Sequence, residues 1–475
     1  MRAGIYRLLL VFGDIIIFYV SLGLALHVRR HDVFSQDYYL FHASFFLIIL
    51  PVVLAINSIL GLYDFRQLRE LPDIISESLA AFAYSFIASV GIFYAFGNTL
   101  PTPKTHLALM LGFSLILGIM WRRLWMSMSS SRVFATKTLF LGDNPVISRL
   151  VADLQSHKYN RFRLTTPEAL GRWKKKSVVA QALAGGDTPK LSDIIDLLVV
   201  DAEPVLLNKE HQEIIAAAMD EAIPIWTHVD FYEDLYKKVP LYVVRNPNWL
   251  FTHVLHRRNE AYVFFKRILD LGGAGALTLV MLPFLPFVAL AIKLTDSGPV
   301  FYAQERFGYL SKNFCMWKFR TMRVDADKQG YVWNAGKADP RITAIGRLLR
   351  KFRIDEFPQL WNILKGEMSL VGPRPTWVGE KQINDIPEYH MRRMVTPGLT
   401  GWAQINSSAT DNEDDTKEKL SYDLYYVKNL SFALDISILL KTVRRVLESD
   451  HAIRQKRRAA AKAVDCQPLE TLQDN

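Results

Sequence analysis

An aspartate and a glutamate stand side by side at Asp355-Glu356, directly behind a cluster of cations. Residues 341–353 hold five basic side chains and no acidic one, and Arg347 and Arg350 fall on one helical face. Two carboxylates beside Arg347, Arg350 and Arg353 could hold Mg²⁺, which prefers hard oxygen ligands, and could attack phosphorus. The same residues also read as an ordinary helix start. Asp355 would be the N-cap, Glu356 would complement the dipole and Pro358 would sit in the first turn of 357–364. A helix start favours a bound phosphate as well, so spacing alone leaves both readings open.

Other polar motifs surround this pair. Trp317-Lys318-Phe319-Arg320 alternates cations with aromatics, and on a strand the two cations share a face. Asp339-Pro340-Arg341 precedes the basic run. In Gly372-Pro373-Arg374-Pro375 an arginine is held between two prolines, which suits a bidentate phosphate contact or, equally, a simple chain reversal. Thr396-Pro397-Gly398-Leu399-Thr400-Gly401-Trp402-Ala403-Gln404 is a second stiffened loop. The acidic run 411–415 lacks an EF-hand glycine and reads as a solvated loop. His253 and His256 have no nearby carboxylate pattern and carry no zinc reading.

The elements that must position these groups emerge from composition. The chain has 475 residues, half of them hydrophobic, with a net charge of +10 and two cysteines, Cys315 and Cys466. This excludes a disordered chain and a disulfide scaffold, and the basic balance favours polyanionic partners. Four early stretches approach the ~20 apolar residues of a membrane span: 8–26, 39–62, 79–97 and 105–121. Arg2 and Arg7, Arg66 and Arg69, and then Arg122, Arg123, Arg132 and Lys137 would lie on one side, opposed by Arg29 and Arg30. Both termini are therefore expected in the cytoplasm. Asp14 inside the first span is a functional candidate by position or pairs with a polar group in the bundle.

From 133 the pattern turns soluble. The runs 138–141, 196–201 and 223–227, with an amphipathic stretch between, predict a parallel α/β sheet over 133–250. Only the first glycine of a dinucleotide-binding turn follows the first strand, at Gly142, so the domain reads as degenerate Rossmann-like, with a packing or regulatory role. The lysines 174–176 read as a solvated face. The segment 271–292 carries no charge and is long enough to span, yet Pro283 and Pro286 interrupt it and both flanks are basic. A re-entrant helix that breaks at these prolines and returns to its entry face satisfies both flanks; a kinked span would put the rest of the chain outside.

Residues 260–447 resemble the bacterial sugar transferase family, the monotopic polyprenol-phosphate phosphoglycosyl transferases. The likeness rests on Lys266-Arg267-Ile-Leu-Asp270, the apolar stretch with Pro283, Lys318-Phe-Arg320-Thr-Met and Asp339-Pro-Arg341-Ile-Thr. It continues through Asp355-Glu356, Gly372-Pro-Arg374-Pro, the loop 397–404 and Tyr422-Asp423-Leu-Tyr425-Tyr426. The four spans and the Rossmann-like domain resemble the long subgroup that initiates exopolysaccharide or O-antigen units. The resemblance implies transfer of hexose-1-phosphate, glucose-1-phosphate first and galactose next, from a UDP-sugar to undecaprenyl phosphate with release of UMP. It implies Asp355 as nucleophile through a phosphosugar-aspartyl intermediate and Glu356 as the Mg²⁺ ligand. It further implies Lys318, Arg320, Arg350, Arg374 and Gln404 at the substrate, and Pro283 as the membrane break. Phe357 and Leu282 depart from the residues usual at their positions.

The expected architecture is thus an α/β membrane protein. It has a four-helix transmembrane bundle (1–125), the degenerate Rossmann-like domain (133–250), a catalytic domain with its re-entrant helix (260–450) and a basic, polar tail (451–475) that touches anionic lipid. Its expected place is the bacterial inner membrane, multi-pass, with the catalytic domain cytoplasmic. Partners are the UDP-sugar, undecaprenyl phosphate and the lipid bilayer, with no nucleic acid; a homo-oligomer is left open. Of two rival classes, a nucleotide-sugar oxidoreductase would need the missing phosphate-loop glycines, and a non-catalytic assembly scaffold would not need the carboxylate pair.

Overall fold

The computed structural model describes residues 2–29, 35–63, 71–95, 104–129, 136–142, 144–156, 162–165, 169–171, 173, 190–201, 209–245, 260–324, 326, 339, 341–380, 386–407 and 413–447. The lysines 174–176, His253, His256, residues 411 and 412 and the tail 451–475 lie outside the described residues. The chain divides into two compact units, one reaching to Phe231 and one beginning at Tyr232. The boundary falls inside the segment 133–250.

The first unit opens with helices α1 (Arg2–Arg29), α2 (Gln36–Phe46), α3 (Ile49–Ile59), α4 (Leu71–Ala95) and α5 (Lys104–Ser129). Stretches of α1, α4 and α5 are long and apolar enough to cross a membrane, at Arg7–Arg29, Ile74–Ala95 and Thr105–Trp125. The stretch 39–62 differs from a single straight helix: α2 and α3 meet at a bend of 54°. Pro51 explains where the break falls. It lacks an N–H and is tolerated in a first helical turn, so the new helix begins two residues before it. Phe18, Leu22, Phe46, Ile49, Phe93 and Met110 form the bundle's core.

Asp14 is buried within this bundle and answers the question its position raised. Its Oδ2 accepts hydrogen bonds from Asn57 Nδ2 (3.0 Å), the Tyr63 hydroxyl (2.8 Å) and Arg122 Nη2 (2.6 Å). An isolated charge in an apolar bundle is costly, and a partnered one much less so.

The α/β part holds β1 (Thr136–Leu141), α6 (Pro145–Ser156), β2 (Phe162–Leu164), β3 (Leu197–Val200), α7 (Lys209–Asp220), β4 (Ile225–Thr227) and the start of α8 (His228–Tyr236). The sheet is parallel throughout, in the order β2-β1-β3-β4. Strands β1 and β3 are neighbours whose connections leave in opposite directions. The crevice at the carboxyl ends of such a pair is where open α/β sheets take ligands. Here the turn after β1 is closely packed. A Cβ on Gly142 would lie 3.0 Å from Asp201 Cβ and 3.2 Å from Ile147 Cδ1, and buried Asp201 faces His228 Nδ1 at 3.4 Å.

The second unit continues through α9 (Leu241–Val244), α10 (Glu260–Met281), a 3₁₀ turn at Leu282–Phe284 and α11 (Leu285–Thr295). Val239 and Val244 pack with Ile386, Tyr389, Leu420 and Leu424, so the residues after 232 belong to this unit's core. Next come β5 (Phe301–Phe307) and β6 (Asn313–Phe319), an antiparallel pair, then α12 (Ala344–Lys351) and α13 (Gln359–Lys365). The parallel strands β7 (Ser369–Val371) and β8 (Gly398–Thr400) follow, with α14 (Trp402–Asn406), α15 (Glu413–Lys428) and α16 (Phe432–Leu447). Phe314, Met316, Leu360, Ile363, Leu370, Val371, Trp402, Tyr426 and Ile438 make the central core.

The α10–α11 segment is apolar and long enough to span, and among the described residues it is mostly uncovered by protein. Leu279, Phe287 and Leu294 are exposed. Both ends are nevertheless fastened to the C-terminal domain. At the start, Arg267 donates to the carbonyls of Ile363 and Leu364 at the end of α13 (2.7 Å each), satisfying acceptors that a helix terminus leaves free. Lys266 donates to the carbonyl of Val371 (2.8 Å), and Asp270 accepts from Ser369 Oγ and Leu370 N. At the far end, Ile292 packs with Phe319 and Leu349, and Asp296 Oδ2 lies 3.4 Å from Arg320 Nη2.

Candidate active site

The carboxylate pair is built by a strained local turn. Helix α12 begins with Thr343 as its N-cap, whose Oγ1 accepts from Gly346 N at 3.0 Å. Gly346 is needed there, because a Cβ would come within 2.1 Å of the Thr321 carbonyl. The helix ends at Lys351, and Arg353 then takes a left-handed conformation (φ 57°, ψ 20°), unusual for a residue with a side chain. That reversal throws Ile354–Glu356 into a 3₁₀ turn with both carboxylates buried. Pro358, not Asp355, is the N-cap of α13, and no side-chain cap bond forms there. The helix-cap reading of Asp355 is therefore corrected: the αL residue rotates the pair out of capping position.

The environment of the two carboxylates is unequal. Glu356 Oε1 accepts from Arg374 Nη2 at 2.7 Å and from Arg353 Nη1 at 3.4 Å. Burial alone would raise its carboxyl, but Arg374, Lys318 and Arg353 outweigh it and hold the group at about 2. Asp355 keeps one carboxylate oxygen, Oδ1, buried with no hydrogen-bond partner. Burial and the neighbouring Glu356 raise its proton affinity, while Lys318, Arg350 and Arg353 oppose them. Lys318 is half-buried near the end of β6, and burial with Arg374 and Arg306 nearby pulls its ammonium down to about 7. A buried carboxylate oxygen without a donor is uncommon and costly unless it has a task.

The loop carrying Arg374 is fixed on several sides. Gly372 N donates to Thr400 O at 2.8 Å and Gly398 N to Pro373 O at 2.9 Å, locking the loop to β8. A Cβ on Gly372 would meet Thr396 O at 2.3 Å, so glycine is required for this approach. From β5, Phe307 N donates to Thr376 O at 2.9 Å and Arg306 Nη1 to Pro375 O at 3.1 Å. Arg350 is aimed by Thr321, whose Oγ1 accepts from its Nε at 2.9 Å.

Asp355, Glu356, Lys318, Arg350 and Arg374 thus share one electrostatic neighbourhood. Two residues expected there are held elsewhere. Arg320 lies just past the end of β6 and donates to the Asp296 carbonyl at 3.1 Å, so it clamps the exit of α11. Gln404 donates to the Leu399 carbonyl at 3.1 Å and braces its own loop. Arg347 is exposed, its guanidinium 3.5 Å from the Ile342 carbonyl. Arg306 and Arg392, in turn, support the site without having been expected in it. Arg306 lies on β5, and Arg392 has no local signal, because its partners are brought to it by the fold.

Among the described residues no cluster of three or more His, Cys, Asp or Glu side chains could enclose a metal. The donor set still suits Mg²⁺, which binds through one or two carboxylates and keeps waters and substrate phosphates as its other ligands. The hydrogen bonds to Glu356 all fall on Oε1, leaving Oε2 as an oxygen donor beside the unpartnered Asp355 Oδ1.

The family model described as "Bacterial sugar transferase" matches residues 261–449. The exopolysaccharide production protein PSS of Rhizobium leguminosarum bv. phaseoli is 42% identical over 185 residues, covering 38% of this chain and 92% of that protein. The chain belongs to the bacterial sugar transferase family. Among other family relatives, an undecaprenyl-phosphate glucose phosphotransferase of Komagataeibacter xylinus is 42% identical over 208 residues, covering 42% of this chain and 39% of that protein. A UDP-N-acetylgalactosamine-undecaprenyl-phosphate N-acetylgalactosaminephosphotransferase of Aeromonas hydrophila is 41% identical over 189 residues, covering 39% and 44%. The chain therefore matches about two-fifths of the length of these last two.

Proposed function

We propose that the protein transfers hexose-1-phosphate from a UDP-sugar to undecaprenyl phosphate, releasing UMP, and so initiates an exopolysaccharide or O-antigen unit. The observation that carries this reading is Asp355 Oδ1, a buried carboxylate oxygen with no donor, set beside Glu356 and among Lys318, Arg350 and Arg374. Oδ1 attacks the sugar-proximal phosphorus, the bond to the UMP oxygen breaks, and UMP leaves with the electron pair. An oxygen of the lipid phosphate then attacks the same phosphorus and returns the carboxylate. Two displacements replace one direct meeting of phosphates, each with a lower barrier. Lys318, Arg350 and Arg374 stabilise the charge that develops on the phosphoryl oxygens. Glu356 would hold Mg²⁺, which when bound would supply Lewis-acid neutralisation of the diphosphate.

The same reading places the enzyme in the bacterial inner membrane as a multi-pass protein, its catalytic domain cytoplasmic. The bundle's apolar helices support the membrane. The α10–α11 segment is read as re-entrant, broken at Pro283. Support comes from its two ends, which both bind the same domain, through Arg267 to α13 and through Asp296 to Arg320, while the tip between them is bare and apolar. A straight helix of these 36 residues would be about 54 Å long, carrying its two ends far apart. The β2-β1-β3-β4 sheet is read as a degenerate Rossmann-like domain with a structural or regulatory role, in keeping with the close packing at Gly142.

Glucose-1-phosphate is the proposed cargo, supported by relatives named for glucose from Komagataeibacter xylinus and Escherichia coli. The Aeromonas hydrophila relative, named for N-acetylgalactosamine, is of similar identity, which makes that sugar the second reading. The test is UMP release by the full-length protein in lipid nanodiscs with Mg²⁺, undecaprenyl phosphate and UDP-glucose, UDP-galactose or UDP-N-acetylgalactosamine. Release with UDP-glucose fits the reading; no release from any UDP-sugar refutes it.

A further inference from the structure

Arg392 lies on the 3₁₀ segment Pro387–Met394 and is buried, although it stands outside every sequence motif of the site. Its Nη2 donates to the carbonyl oxygen of Arg374 itself at 2.9 Å, and its Nη1 reaches Thr376 Oγ1 at 3.4 Å. The guanidinium also pairs with Asp423 Oδ2 of α15 at 2.7 Å and stacks 4.8 Å from the Tyr389 ring centroid, whose hydroxyl accepts from Nη1. Asp423 is almost wholly buried. The carbonyl of Arg374 is thus held by Arg392 Nη2, the same nitrogen that lies against the buried anion.

Burying an ion pair to hold one turn costs desolvation that an apolar contact would avoid. What the charge supplies is a rigid, planar fork beneath Arg374. Arg374 in turn makes the shortest contact to Glu356, at 2.7 Å. The line runs from Asp423 through Arg392 and the Arg374 backbone to the Arg374 guanidinium and Glu356. Resting on the function proposed above, we propose that Arg392, anchored by Asp423, is a positioning residue for phosphoryl transfer, acting through the aim of Arg374. A loop free to shift by about 1 Å would lose on the order of 10²-fold in rate, and the loss would fall on kcat because the charge that Arg374 meets grows in the transition state.

The test is UMP release by the full-length protein in nanodiscs with Mg²⁺ and the UDP-sugar that the wild type turns over best. Wild-type release tests the functional reading; its absence with every UDP-sugar overturns that reading and this inference together. The Arg392→Met, Asp423→Asn double variant removes the pair without stranding a buried charge. It is expected to lose about 10- to 100-fold in kcat with KM within about threefold. Added to Arg374→Met, the same pair of changes is expected to cost less than about threefold more, because the positioned group is already gone. Arg392→Lys, which keeps the charge but not the fork, covers the case of a double variant that fails to fold, and is expected to lose about tenfold in kcat. Wild-type kcat in Arg392→Lys or in the double variant, or losses that multiply with Arg374→Met, overturn the proposal.

Discussion

Asp14 and Asp355 are both buried aspartates with an arginine nearby, and they are treated in opposite ways. In the bundle, three donors converge on Asp14 Oδ2, from α3, from Tyr63 just beyond it and from α5. In the C-terminal domain the arginines turn to Glu356 instead, and Asp355 Oδ1 is left without a donor. On the function proposed above, the difference separates a carboxylate that ties helices together from one kept available for a reaction. Saturation stabilises a buried charge and makes it a poor nucleophile; an unpartnered oxygen costs stability and leaves a lone pair exposed to the substrate.

The largest effect should come from Asp355→Asn. The account expects UMP release to fall by about 10³-fold or more, with a melting temperature equal to or above that of the wild type, since the charge of a buried carboxylate with an unpartnered oxygen is removed. Calorimetry alongside the rate assay checks both halves. Asp14→Ala should do the reverse. It strands Arg122 in the bundle and should cost about 3–5 kcal/mol of stability, while UMP release per folded molecule stays within about twofold of wild type. Equal losses of rate in the two variants would erase the distinction.

Arg374→Met should follow, with a fall of about 10²-fold in kcat, the size expected when one charge-stabilising group is lost. A smaller effect concerns Lys318, whose ammonium is pulled to about 7. Between that value and its ordinary one the unfolded chain binds the extra proton and the folded chain does not, so stability should rise with pH from about 7 to about 10. Below 7 both states carry the proton and the slope should vanish. Melting curves without Mg²⁺, compared with Lys318→Met, show whether this slope belongs to Lys318.

The sequence displayed the carboxylate pair, the prolines around Arg374 and the apolar runs, because each is a local pattern of residue types. What it left ambiguous was orientation. Asp355 before Pro358 is indistinguishable from an N-cap until Arg353 is seen in the left-handed region. Arg320 shares its strand parity with Lys318, yet β6 ends at Phe319 and the chain delivers Arg320 to Asp296. Arg392 and Asp423 were illegible as partners, since they lie on different elements and meet only through packing. The bend of 54° between α2 and α3 had a local cause in Pro51, but its angle could not be read from residue types.

The most direct measurement is capture of the intermediate. The full-length protein in nanodiscs is mixed with Mg²⁺ and a UDP-sugar labelled in the sugar, without lipid acceptor, then quenched and mapped by mass spectrometry. The account predicts one equivalent of UMP released and a phosphosugar adduct on the peptide containing Asp355, absent in Asp355→Asn and chased off by undecaprenyl phosphate. An active enzyme that yields no adduct, or carries it on another residue, would contradict it.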